Sequence, residues 1–191
     1  MTRQRIIEES LSLFANHGYE NTSLTMIAEL VGIKKPSLYN HFKGKEAIFS
    51  AVLDDVAARE MEVMQTEINV PTSDSIDDQL FGIYKNYLAH LSNSMEGLFF
   101  KRVTFFPPDE FAEEIKRVFL LVEECLTNII RPIFEEGKKT GKLRALSTDT
   151  MTSAFYTLID GLFLEENFYP REVFETRKQA SWKVFWLGIQ A

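Results

Sequence analysis

From Phe111 to Ile133 the apolar side chains Phe111, Ile115, Val118, Val122, Cys125, Ile129 and Ile133 recur at steps of three and four. That is the spacing of one face of an α-helix. The opposite face carries Glu113, Glu114, Lys116, Arg117, Glu123 and Glu124, so this helix is expected to cover a core on one side and meet water on the other. The same period runs along nearly the whole chain. No stretch alternates cleanly between apolar and polar, as a half-buried strand does. An all-α fold of about nine helices is the expectation.

Local start and stop signals divide the pattern. Gly18 is placed to end a first helix holding Ile6, Ile7, Leu11, Leu13 and Phe14. Ser23 can cap a short second helix carrying Met26, Ile27, Leu30 and Val31, and Gly32 can close it. Pro36 favours a helix start and opens a third, with Leu38 and Phe42 at i,i+4. Gly44 separates it from a fourth helix, predicted from Lys45 to about Thr66. Asn69–Ser75 (NVPTSDS) reads as a linker. Leu80, Tyr84, Tyr87 and Leu91 mark a fifth helix, and Phe99–Phe106 a short apolar piece stopped by Pro107-Pro108. Pro132 predicts a kink late in the long seventh helix, which Gly137–Gly141 closes. Ser147 or Thr148 can cap an eighth, and a ninth is predicted over residues 171–190.

Composition narrows the function classes. Apolar residues make up 45% and charged residues 26%, as in ordinary globular proteins. The lone Cys125 excludes a disulfide framework and a cysteine-based zinc cluster, and on the apolar face it reads as a small core hydrophobe. His17 and His90 lack ligand partners at helical spacing, so neither a metal nor a cofactor is expected. There is no G-x-S-x-G, P-loop or dinucleotide fingerprint, so no catalytic set is indicated. The start MTRQRIIEESLSLF has no signal-peptide core, and no uncharged run approaches membrane length. A cytoplasmic protein without a membrane partner is expected. The net charge of −7 is unevenly spread: residues 1–50 hold six Lys/Arg against five acids, and the remainder fifteen against twenty-three. Between Lys34 and Lys45 there are four lysines, one histidine and no acid, a basic island that points to a polyanion.

That island lies in a helix-turn-helix pattern, Thr22–Phe42 (TSLTMIAELVGIKKPSLYNHF). On a helical wheel Leu38 and Phe42 face the neighbouring helices, while Pro36, Ser37 and Asn40 point the other way. Tyr39 and His41 fall on the flanks. A major groove admits one helix, offers donors and acceptors on its floor that Asn and Ser can read, and has phosphates along its walls.

Residues 6–53 resemble the DNA-binding domain of TetR-family transcriptional repressors. The resemblance rests on Ile7, Leu11, Phe14, Gly18-Tyr19, Thr22-Ser23, Ile27-Ala28, Gly32, Leu38-Tyr39, His41-Phe42 and Lys45-Glu46 in the family's order. It implies a DNA-binding domain over 1–48 and a helical effector-binding and dimerisation domain over 49–191. It makes Lys35, Pro36, Ser37 and Asn40 candidates for base contact, and Thr22 or Ser23, Tyr39, His41 and Lys45 candidates for phosphate contact. The basic island adds Lys34. Two positions depart from the family pattern: Lys34 stands where Ser or Thr often opens the recognition helix, and Glu9-Ser10 where the first helix usually has two Ala.

Nineteen of the 24 aromatic residues lie beyond residue 50. Tyr84, Tyr87, His90, Arg102, Phe105, Phe106 and Tyr156 are the candidates for an effector pocket. The resemblance places the last two helices in an intersubunit bundle, which assigns Met151, Ala154, Phe155, Leu158, Leu162, Ser181, Val184, Phe185 and Gly188 to a homodimer interface. The expected function is an operator-binding repressor released by a small, largely apolar effector. The competing reading is a helical ligand-carrying or interaction protein whose helix-turn-helix no longer binds DNA, which would tend to lose the basic and polar face.

Overall fold

A computed structural model describes residues 2–68 and 75–191. Among these are nine α-helices and no strand: α1 (Thr2–Asn21), α2 (Leu24–Val31), α3 (Lys35–Leu38), α4 (Lys45–Val63), α5 (Ile76–Asn93), α6 (Met95–Phe105), α7 (Ala112–Lys139), α8 (Thr148–Glu165) and α9 (Arg171–Ile189). A π-turn, Met64–Ile68, follows α4, and a 3-10 turn, Asp109–Phe111, leads into α7. The all-α expectation holds. Asn69–Asp74 of the expected linker lie outside the described residues.

The caps explain where the helices start. Ser23 accepts from the Met26 amide at 3.2 Å, Ser94 from Gly97 at 2.9 Å and Ser147 from Thr150 at 3.0 Å, each pairing an amide that the first helical turn leaves open. Lys34 opens α3 with no side-chain cap, as its residue type dictates. Gly18 acts differently from the expected stop: with φ 80 and ψ 168 it bends α1, and a further helical turn carries the chain to Asn21. α7 runs on through Pro132 to Lys139.

The described helices form two compact units, Met1–Met61 with Asn93–Val122, and Glu62–Ser92 with Glu123–Ala191. In the first, Ile6, Ile7, Leu11 and Phe14 of α1 are buried with Ile27 and Val31 of α2, Leu38 of α3 and Ile48, Phe49, Val52 and Leu53 of α4. Phe49 joins the helices: its ring centroid lies 5.1 Å from Phe14, 5.0 Å from Tyr19, 5.8 Å from Phe99 of α6 and 4.5 Å from Phe111. Aromatic contacts at these separations add to the burial of the rings themselves.

In the second unit the core is again aromatic. Trp182 of α9 lies 5.1 Å from Tyr84 and 5.3 Å from Phe81 of α5, and Phe155 of α8 touches Phe134, Trp182 and Phe185. This corrects three residues of the expected dimer interface. Met151, Phe155 and Leu162 are buried within a single chain, because the apolar face of α8 is covered by the unit's own helices. Of the remaining α8 residues expected there, Ala154 is exposed and Leu158 half-buried, and the small Gly161 is exposed as well. On α9, Ser181 and Phe185 are half-buried, while Gly188 and Leu187 are exposed and Val184 is 71% exposed.

Phe155→Ala should therefore lower the unfolding free energy by about 3–5 kcal/mol in urea titration, the range for emptying a buried phenyl site. A loss below about 1 kcal/mol would place the ring outside the core.

Candidate nucleic-acid interface

The turn between α2 and α3 depends on Gly32, whose left-handed φ of 77 reverses the chain while its N–H returns to Ala28 and Glu29. Regular α3 is only one turn long, shorter than the helix predicted through Phe42. Tyr39, Asn40 and His41 follow it in tighter turns, with Asn40 N–H donating to Ser37 O at 3.3 Å and His41 N–H to Leu38 O at 2.9 Å. One i→i+4 bond survives, from Phe42 N–H to Leu38 O at 2.9 Å. It keeps Leu38 and Phe42 on the inner side, where both are buried, and the Arg3 guanidinium lies over the Phe42 ring at 4.9 Å.

With those two anchors facing inward, the other side chains of the segment face water. Lys34, Lys35, Pro36, Asn40 and His41 are exposed, Tyr39 is 55% exposed, and Ser37 is half-buried. Lys43 is exposed as well. The segment thus presents cations, a phenol, an imidazole and an amide with no carboxylate among them, a set suited to phosphate walls and base edges.

Thr22 and Lys45 are placed differently from the rest. Thr22 is 1% exposed and its hydroxyl donates to Gly18 O at 2.8 Å. It secures the bend in α1 and is removed from the candidate phosphate contacts. Ser23 remains exposed; its oxygen caps α2, and its hydroxyl proton is left to donate. Lys45 is half-buried, its Nζ donating to Tyr19 O at 2.9 Å and sitting 4.0 Å from the centre of the Tyr19 ring. Two ammonium protons stay available beyond that bond. The Tyr19 hydroxyl donates to Glu46 at 3.4 Å. Burial, the hydrogen bond of Glu110 and the charge of Glu46 push its pKa well above the ordinary phenol value, so it remains a donor.

The expected effector residues are divided between the two units. Arg102, Phe105 and Phe106 belong to the first unit, and Tyr84, Tyr87, His90 and Tyr156 to the second. The Tyr84 hydroxyl donates to Lys178 O at 2.9 Å, and that of Tyr156 to Glu123 O, beside Thr127. Both phenols have pKa values raised, first of all by burial. Arg102 is committed to α1, donating from Nε to Ala15 O at 2.8 Å and from Nη2 to Asn16 O at 3.0 Å. It borders a cleft of about 350 Å³ in the first unit, with Phe14, Tyr19 and Phe106 among the other walls. No group of three metal-ligating side chains occurs among the described residues, and no helix among them is long and apolar enough to cross a membrane.

Residues 6–52 match the family described as bacterial regulatory proteins, tetR family. The HTH-type transcriptional repressor ComR of Escherichia coli is 46% identical over 52 residues, which span 27% of this chain and 25% of that protein. Over these residues the chain is similar to the DNA-binding region of the TetR family. Solved TetR-family structures extend the likeness of fold to the whole chain. A TetR transcription regulator from Haloarcula marismortui superposes with a TM-score of 0.79 at 15% identity, over 100% of this chain and 98% of that one. The regulator FadR of Bacillus subtilis, solved in complex with stearoyl-CoA, gives 0.71 at 17% identity over 95% and 96%. The sequence match to ComR thus spans a quarter of that repressor and covers the helix-turn-helix.

The two caps of this TetR-family helix-turn-helix make opposite expectations. Ser23→Ala should cost about 1 kcal/mol, while Lys34→Ser, which supplies the missing cap of α3, should gain up to about 1 kcal/mol. Urea unfolding of both variants checks this, and equal stability of Lys34→Ser and wild type would mean that the α3 amides need no side-chain partner.

Proposed function

We propose that the chain is a cytoplasmic transcriptional repressor that binds a pseudo-palindromic operator as a homodimer and leaves it when a small, largely apolar effector binds. The observation that carries this reading is the exposed, acid-free segment Lys34–His41 on a TetR-family helix-turn-helix. A module that no longer binds DNA would keep Leu38 and Phe42 inside for the fold, but would have no reason to keep an acid-free outer face of lysines, Tyr39, Asn40 and His41. Lys35, Pro36, Ser37 and Asn40 are assigned to the groove floor. Lys34, Tyr39, His41 and Ser23 are assigned to the phosphates, and Lys45 contributes the protons that Tyr19 leaves free.

One short recognition segment reads few base pairs, and a two-fold dimer doubles them. The dimer surface follows from what α8 and α9 leave open: Ala154, Leu158 and Gly161 on one helix, Val184, Leu187 and Gly188 on the other. Small residues there allow close approach of a second copy, and large apolar ones such as Val184 and Leu187 gain from leaving water. The apolar effector is supported by the aromatic second unit and by the acyl-CoA carried by FadR, which shares the fold. Such a ligand moves the equilibrium only through its differential affinity for two arrangements, and operator DNA must weaken its binding by the same factor.

Selecting duplexes from a random pool with the wild-type protein tests the reading. An inverted repeat should be enriched, with affinity falling steeply as salt rises. Asn40→Ala should cost about 1–3 kcal/mol and relax preference at one position of each half-site. Val184→Asp should sediment as a monomer with much weaker binding. No preference for any duplex over random DNA at physiological salt would reject the repressor in favour of a helical interaction protein.

A further inference from the structure

The first unit contains a helix that the helix-turn-helix motif does not include. α6 is the main helix partner of α1, and it is fastened to the DNA-binding helices at both ends. Near its start, Glu96 pairs with Arg59 of α4 at 3.4 Å, and Arg59 also reaches Asp55 at 2.7 Å and Glu8 of α1 at 3.6 Å. Near its end, Arg102 donates to the carbonyls of Ala15 and Asn16, across 87 and 86 positions of sequence.

Those two carbonyls are the ones most in need of a donor. In an unbroken helix they would accept from the amides of residues 19 and 20, but Gly18 turns the chain between them. The neighbouring carbonyls are satisfied in the same way: Thr22 donates to Gly18 O, and Lys45 to Tyr19 O. Arg102 therefore supplies two of the donors at a bent helix end, beside Thr22, Lys45 and the Asn21 side-chain amide, which donates to His17 O at 3.1 Å. Only four residues separate Gly18 from Ser23, the cap of α2, so the angle of this bend sets where α2 and α3 begin. The contact is also breakable: its Asn16 side is exposed, and the cleft bordered by Arg102, Gly18 and Phe106 opens beside it.

We propose that Arg102 is a positioning residue for operator binding, holding the bend of α1 from α6 and so fixing where α2 and the recognition segment begin. This rests on the operator-binding reading above. Arg102→Met keeps the aliphatic stem and removes the donors; Arg102→Lys keeps the charge and loses the fork. Affinity is measured for the duplex selected by wild type and for a scrambled duplex, well below the thermal midpoint, with amide exchange at residues 18–23 followed in the free protein. Arg102→Met is expected to weaken the selected duplex about tenfold, to leave the scrambled duplex unchanged and to speed exchange at the bend. Arg102→Lys should fall between. Folded Arg102→Met with selected-duplex affinity within about twofold of wild type and unchanged exchange overturns the proposal. If Arg102→Met does not fold, Arg102→Lys decides by the same two readouts. If wild type prefers no duplex, the operator reading fails, and unchanged exchange at the bend is the separate result that overturns the role of Arg102.

Discussion

A helix that bends through a left-handed residue must find new donors for the carbonyls on both sides of the bend. At Gly18 those donors come from three directions: Asn21 and Thr22 in the turn that follows, Lys45 at the start of α4 and Arg102 on α6. A side chain at residue 18 would be strained at φ 80, although its Cβ would meet the Arg102 side chain only at ordinary contact distance. The bend, the start of α2 and the seat of α4 are therefore one arrangement. Tyr19 ties it to the core, with its ring against Phe49 and Phe111 and the Lys45 ammonium above it.

That arrangement explains why the polar outer face is presented as it is. Leu38 and Phe42 are the anchors that hold the recognition segment down, and everything between and before them is free to meet a ligand. The lysine that looks most like a phosphate clamp, Lys45, first serves the fold. Its remaining donors are oriented by Tyr19, which lowers the entropy lost when they meet an anion. The free lysines, Lys34, Lys35 and Lys43, carry the long-range field, and salt should screen their contribution most.

Local chemistry was legible in the sequence; long-range pairing was not. Ser23, Gly32 and Ser147 act as read, because a cap bonds residues within four positions of itself. The third helix starts where Pro36 predicts, yet its regular part ends at Leu38, since one i→i+4 bond is enough to keep Leu38 and Phe42 on the same side. Periodicity identified the apolar face of α8 but not what covers it: Tyr84 of α5, Phe134 of α7 and Trp182 and Phe185 of α9 meet Phe155, Met151 and Leu162 are buried with it, and the small residues Ala154 and Gly161 stay outside. Arg102, a polar group amid apolar neighbours, suggests a ligand contact in the sequence, whereas its partners in the structure lie on α1. The one local signal was Gly18 itself, a break that leaves carbonyls for some distant donor to fill.

The central claim is that DNA meets the face formed by Ser23 and residues 34–41. Amide chemical-shift mapping during titration with the duplex selected by wild type tests it most directly. The account predicts the largest changes at Ser23 and residues 34–41, with smaller changes around Lys45. Saturating shifts confined to α8 and α9, with residues 34–41 unmoved, would contradict it.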